Sequence, residues 1–160
     1  MRKVEGIIRP NLSLFVEQAR VSVALAIEKF GSEEGWVGRE GGYFCVADGK
    51  NGLPLLTVLI GKVPLEKALR YLNLCQEKAA RLSMYPGHGS SWESRNPEEN
   101  QWGGAIRVGT DFIFSLSGFP ELGDEAVMLD TAWHINEPRV TLDRIAQHSG
   151  NQYWPVLRAA

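Results

Sequence analysis

The sequence predicts an α+β fold, an antiparallel sheet with helices packed on its faces. Three observations carry this. Amphipathic helical stripes flank short apolar strands, the turns between those strands are rich in Gly and Asn, and the strand Phe112-Ile113-Phe114-Ser115-Leu116 runs through Ser117-Gly118 into an acid-led helix. Hairpins of this kind exclude an all-parallel sheet, and with it a dinucleotide-type fold.

The first helix is expected from Leu12 to about Phe30, capped by Asn11. Leu12, Phe15, Val16, Ala19, Val23, Ala26, Ile27 and Phe30 recur at three- and four-residue steps and make one apolar stripe, and Gly31 stands where a helix stop belongs. Two strands are then expected, Trp36–Arg39 and Tyr43–Ala47, around Glu40-Gly41-Gly42. After the turn cluster Asp48-Gly49-Lys50-Asn51-Gly52, Leu55–Ile60 reads as a third strand, central or covered, completing a meander. Pro64 opens a second helix, to about Leu82, with Leu65, Ala68, Leu69, Leu72, Cys75, Ala79 and Leu82 inside. Its charges, Lys78 and Arg81 among them, read as solvated.

Residues 83–101 are irregular, and a loop this long is functional, packed as an interaction surface, or disordered. The hairpin that follows turns at Gly109-Thr110-Asp111, and a third helix covers roughly Asp124–His134. The remainder holds a short helical candidate, Leu142–His148, and Tyr153-Trp154-Pro155. These apolar residues must be buried either on the domain or against another subunit. One domain over residues 1–160 results, with a core at about 11–134 and a C-terminal extension, 135–160.

A 44% hydrophobic and 22% charged composition is that of an ordinary globular protein, and a formal net charge of -2 gives no sign of a nucleic-acid binder. No apolar run approaches the ~20 residues of a membrane span. Met1-Arg2-Lys3 is basic but has no long apolar run behind it, so no secretory leader is expected and the location expected is cytoplasmic. Cys45 and Cys75 lie in apolar surroundings without a CxxC or Cys/His cluster, and read as buried thiols.

The candidate site residues are His88, Ser90, Trp92, Ser117, Gly118 and Asp124. His88 sits between glycines that would let imidazole and backbone N–H groups approach a metal or anion, beside Ser90, Ser91 and Trp92; a plain surface loop is the competing reading. Ser117 and the free N–H groups of the Ser117–Glu125 connection could line a pocket. Equally, Gly118 and Pro120 make the turn while Asp124 and Glu125 favour the helix dipole. Trp92, Trp102, Trp133 and Trp154, with Tyr85 and Tyr153, are material for a planar-ligand wall, an interface or a core. Asp130 and His134 stand one helical turn apart, either as a carboxylate orienting an imidazole or as a surface pair. No catalytic residue or metal ligand is assigned, and an enzyme is the weakest reading.

Gly103-Gly104 leading into a strand, Ser117-Gly118 closing the next, and the acidic pair Asp124-Glu125 at a helix start resemble the signature of the GlcG/HbpS-like family, related to the C-terminal domain of PduO-type proteins. The match spans roughly residues 11–134. The resemblance implies a profilin-like fold, binding of a small molecule such as haem or a corrinoid, and a homo-oligomer. On this reading the Ser117 corner lies beside the segment around His88. The alternative is an oligomeric interaction module without a ligand.

Overall fold

The computed structural model describes residues 11–160. The stretch read above for a leader, residues 1–10, lies outside the described residues. The elements are α1 (Leu12–Phe30), β1 (Glu40–Asp48), β2 (Pro54–Lys62), α2 (Leu65–Ser83), β3 (Ala105–Val108), β4 (Phe112–Ser117), α3 (Glu121–His134), α4 (Arg139–Ser149) and α5 (Trp154–Arg158). Two 3-10 turns, Ser91–Ser94 and Pro97–Glu99, lie between α2 and β3. The four strands form one antiparallel sheet in the order β2-β1-β4-β3. This is the expected α+β class, consistent with a profilin-like layout.

Alternation along the strands divides the core. Phe44, Val46, Phe114 and Leu116 face α1 and α3, while Cys45, Ala47, Ala105 and Ile113 face α2. The first layer is knit by aromatic contacts, with Phe15 and Phe114 centroids 5.1 Å apart and Trp36 stacked on Phe119 at 5.0 Å.

Four local expectations are corrected. Trp36–Arg39 is a turn, closed by the Arg39 N–H donating to the Trp36 carbonyl at 2.9 Å, and Glu40-Gly41-Gly42 begins β1 instead of separating two strands; no three-strand meander forms among the described residues. β2 is an edge strand and is largely exposed. The inner face of α2 is rotated from the one expected. Tyr71, Leu74, Cys75, Lys78, Ala79, Arg81 and Leu82 are buried, while Leu65 and Leu69 are exposed. Helix α3 begins at Glu121, three residues early, so Asp124 and Glu125 lie within it and are buried.

Residues beyond 134 are part of the core. Leu142, Ile145, Ala146, Trp154 and Leu157 join the same cluster as Phe44 and Phe114, so the apolar tail is buried on its own domain. Its anchor is Glu125, fully buried, which accepts from Ser90 Oγ at 2.5 Å, Ser149 Oγ at 2.5 Å and Asn151 Nδ2 at 2.8 Å. Burial pushes the Glu125 carboxyl above its usual range, against the pull of these three donors.

Candidate functional site

A cleft of about 460 Å³ opens at the end of the sheet where β4 runs out and α3 starts. That volume lies within the range of small-molecule sites. Its floor is a buried ion pair. Lys78 Nζ donates to Asp124 Oδ2 at 3.0 Å and to the Leu116 carbonyl at 2.7 Å, and both side chains are 2% exposed. The other Asp124 oxygen accepts from the Phe119 N–H at 2.9 Å. Burial raises the Asp124 pKa from 3.8 to about 6, opposed by Lys78, the Phe119 N–H and the charge of Arg39.

Glycine makes room for this floor. A Cβ on Gly104 would stand 2.7 Å from Lys78 Nζ, 2.8 Å from Asp124 Cβ and 2.9 Å from the Leu116 oxygen, and its φ of +124° is one that side chains rarely adopt. Beside it, Gly118 packs directly on β1: a Cβ there would overlap the Gly41 carbonyl oxygen and lie 2.6 Å from Gly42 Cα.

The walls are aromatic. Trp92 and Trp102 come from the segment before β3, Tyr71 from α2, Phe119 from the β4–α3 connection and Tyr153 from the α4–α5 turn. Arg81 braces the tryptophan wall from below, donating to the carbonyls of Ser91 at 2.9 Å and Trp102 at 2.6 Å. Arg95 clamps it from outside. Its guanidinium makes two bonds to Glu121, at 2.9 and 2.6 Å, and lies 4.4 Å from the Trp92 ring centroid. The long segment is thus packed against the domain through arginine. At its other end Arg107 donates to the carbonyls of His88, Gly49, Leu82 and Tyr85.

Of the six candidate residues, Trp92, Ser117, Gly118 and Asp124 line the cleft together. His88 and Ser90 do not. Ser90 is buried and its hydroxyl is spent on Glu125, with the Trp92 N–H capped in return. His88 stacks on Tyr85 with centroids 4.8 Å apart, and its carbonyl is held by Arg107 near Gly49. Gly49 pairs with Asp111 at the turn end of the sheet, whereas Ser117 pairs with Tyr43. Five residue steps along β1 separate Tyr43 from Asp48, a distance of about 16 Å. The expected proximity of Ser117 and His88 therefore does not occur.

Ser117 and the Asp130–His134 pair lie far apart. Helix α3 starts beside Ser117 and ends at His134, roughly 20 Å away. Asp130 and His134 do meet, with His134 Nδ1 3.6 Å from Asp130 Oδ2 and 2.8 Å from the Asp130 carbonyl oxygen, while the buried Asp130 also accepts from Ser22 Oγ at 2.7 Å, which ties α1 to α3. Among the described residues no three His, Cys, Asp or Glu side chains gather as a metal-binding group. Cys45 and Cys75 are buried, and burial pushes the Cys75 thiol well up, which keeps it protonated and unreactive.

No family model, curated protein or solved structure matches the chain. Its site is therefore read from geometry.

Lys78, Arg39 and Arg70 were missed in the sequence. Lys78 gave the fairest signal. It falls four residues after Leu74 and three after Cys75, on the stripe that the helix buries.

Proposed function

We propose that this protein binds a small organic molecule in the cleft between the Ser117-Gly118 corner and the Trp92–Trp102 wall. One observation carries the reading: five aromatic side chains converge on a concave site whose floor is a fully satisfied buried charge pair. The GlcG/HbpS-like resemblance supports the same corner as the site and suggests a tetrapyrrole ligand. Were haem the ligand, Tyr71 and Tyr153 would be the phenol oxygens able to hold its iron, since among the described residues no His, Cys or Met lines the cleft. Two thiols that remain unpaired suit a reducing cytoplasm, and no helix among the described residues is long and apolar enough to cross a membrane.

The test is fluorine NMR on protein labelled with 5-fluorotryptophan, probed with haemin, cyanocobalamin and 2-naphthoate. A binder moves the Trp92 and Trp102 signals saturably and leaves buried Trp36 and Trp154 in place. The half-buried Leu122 lines the same cleft, and Leu122→Trp is expected to fill the space and abolish the shifts. If none of the three probes moves Trp92 or Trp102, the cleft is not the binding site.

A second reading rests on a different surface: a homodimer formed through β2. This strand has no neighbour on its outer edge among the described residues and no charge from Leu55 to Gly61. Leu55, Leu59, Leu65 and Leu69 are exposed on and beside it. A second copy adding its own β2 antiparallel would satisfy the open backbone groups and cover these leucines. Light scattering should give a dimer mass for the natural chain and a monomer for Leu59→Lys with Leu69→Glu. A natural chain that stays monomeric at high concentration overturns this reading.

A further inference from the structure

We propose that the ligand class is a compact aromatic carboxylate, a one- or two-ring acid whose anionic group is met by Arg39 and whose ring lies against Trp92 and Trp102. This deepens, and rests on, the small-molecule reading above.

Charge accounting in the cleft selects an anion. Asp124 is neutralised by Lys78, and Glu121 by Arg95. Two cations remain, Arg39 and Arg70, and among the described residues their side chains bond only neutral oxygens. Arg39 Nη1 donates to the Gly118 carbonyl at 3.2 Å, and Arg70 Nη2 donates to Asn100 Oδ1 at 3.3 Å. A guanidinium carries five N–H donors, so Arg39, pinned at the corner through one, retains a free fork for a carboxylate.

The walls select a ring. Trp92 and Trp102 are half-buried, and each is held in place by a polar neighbour. The Trp102 indole N–H is spent on Asn100 Oδ1 at 2.8 Å, and Trp92 carries the Arg95 guanidinium. Asn100 also accepts from Arg70, so one side chain holds both a wall and a cation in place. Preorganised aromatic faces bind planar molecules without ordering long flexible chains. At about 460 Å³ the space suits one or two rings with an acid group.

The experiment compares 2-naphthoate, 2-naphthamide and cyclohexanecarboxylate by calorimetry, with the fluorotryptophan signals as the location readout. Naphthoate should bind saturably and move Trp92 and Trp102. The uncharged amide and the saturated acid should each bind about tenfold or more weakly, as expected for loss of one charge-assisted contact or of ring stacking. Arg39→Gln should weaken naphthoate by a similar factor without weakening the amide, and Arg39→Lys should recover part of the loss. Arg70→Gln, on an exposed helix position, provides a second variant that does not disturb the corner. Equal binding of naphthoate and naphthamide, or naphthoate affinity unchanged in both arginine variants, overturns the acid assignment while leaving the cleft reading intact. Tryptophan signals that respond to haemin alone do the same. Silence from every probe removes both.

Discussion

Lys78→Met is expected to cost the fold about 3–5 kcal/mol, the scale for stripping one partner from a buried ion pair. The methionine fills the aliphatic volume, so the loss is electrostatic. Asp124 would keep the Phe119 N–H but lose its only buried cation, and the Leu116 carbonyl would lose its 2.7 Å donor. Urea unfolding checks this, and the double variant Lys78→Met with Asp124→Leu should recover much of the deficit, because the pair is removed whole.

The same residue sets a pH signature. The Asp124 pKa is about 6 in the folded protein against an ordinary 3.8, so between those values the native state holds a proton that the unfolded chain releases. Stability therefore falls as pH rises through that window. Glu125 and Asp130, also raised by burial, act in the same direction. Urea midpoints at pH 4, 5 and 6 should decline in the natural chain, and Asp124→Asn should flatten part of that decline. An unchanged slope in Asp124→Asn would mean that Asp124 does not titrate there.

Gly118→Ala is the second large effect, expected at about 3 kcal/mol, at the upper end of the usual range for overpacking. The added methyl meets backbone on both counts, the Gly41 oxygen and the Gly42 Cα, and neither can swing aside as a side-chain tip would. For a chain of this size that is roughly a 6–12 °C drop in melting temperature. Gly87→Ala, where a Cβ meets nothing within 4 Å, is the control and should change stability by less than about 0.5 kcal/mol. Comparable melting of the two variants would show that β1 and the Ser117 corner can separate without loss.

Local patterns in the chain were sufficient for α1, whose stripe from Phe15 to Phe30 is the face it buries, and for the hairpin from Ala105 to Ser117. They failed where tertiary contacts overrule composition. Leu65 and Leu69 look like core by spacing, yet the sheet meets α2 one step around the helix, burying Tyr71, Leu74 and Lys78 instead. Gly41 and Gly42 look like a turn, but they are strand residues made small by Ile60 and Ser117 across the ladder. The Ser117 corner was legible as a strand end turning into a helix, because Gly118 and Pro120 mark that turn in the sequence itself. Arg39 was not legible, since its importance comes from Gly118, seventy-nine positions downstream. The distance between His88 and that corner depends on strand register, which no short motif encodes.

The clasp on Glu125 has a consequence for where the domain can be cut. Of its three donors only Ser90 precedes Glu125, while Ser149 and Asn151 follow it, so a chain that holds the whole sheet and α3 but not α4 leaves the carboxylate with one partner. Trp154 and Leu157 follow immediately behind Asn151. A chain cut before Ser149 would keep one donor of the three and lose Trp154 and Leu157 from the core, so the segment after α4 completes the domain and does not decorate it.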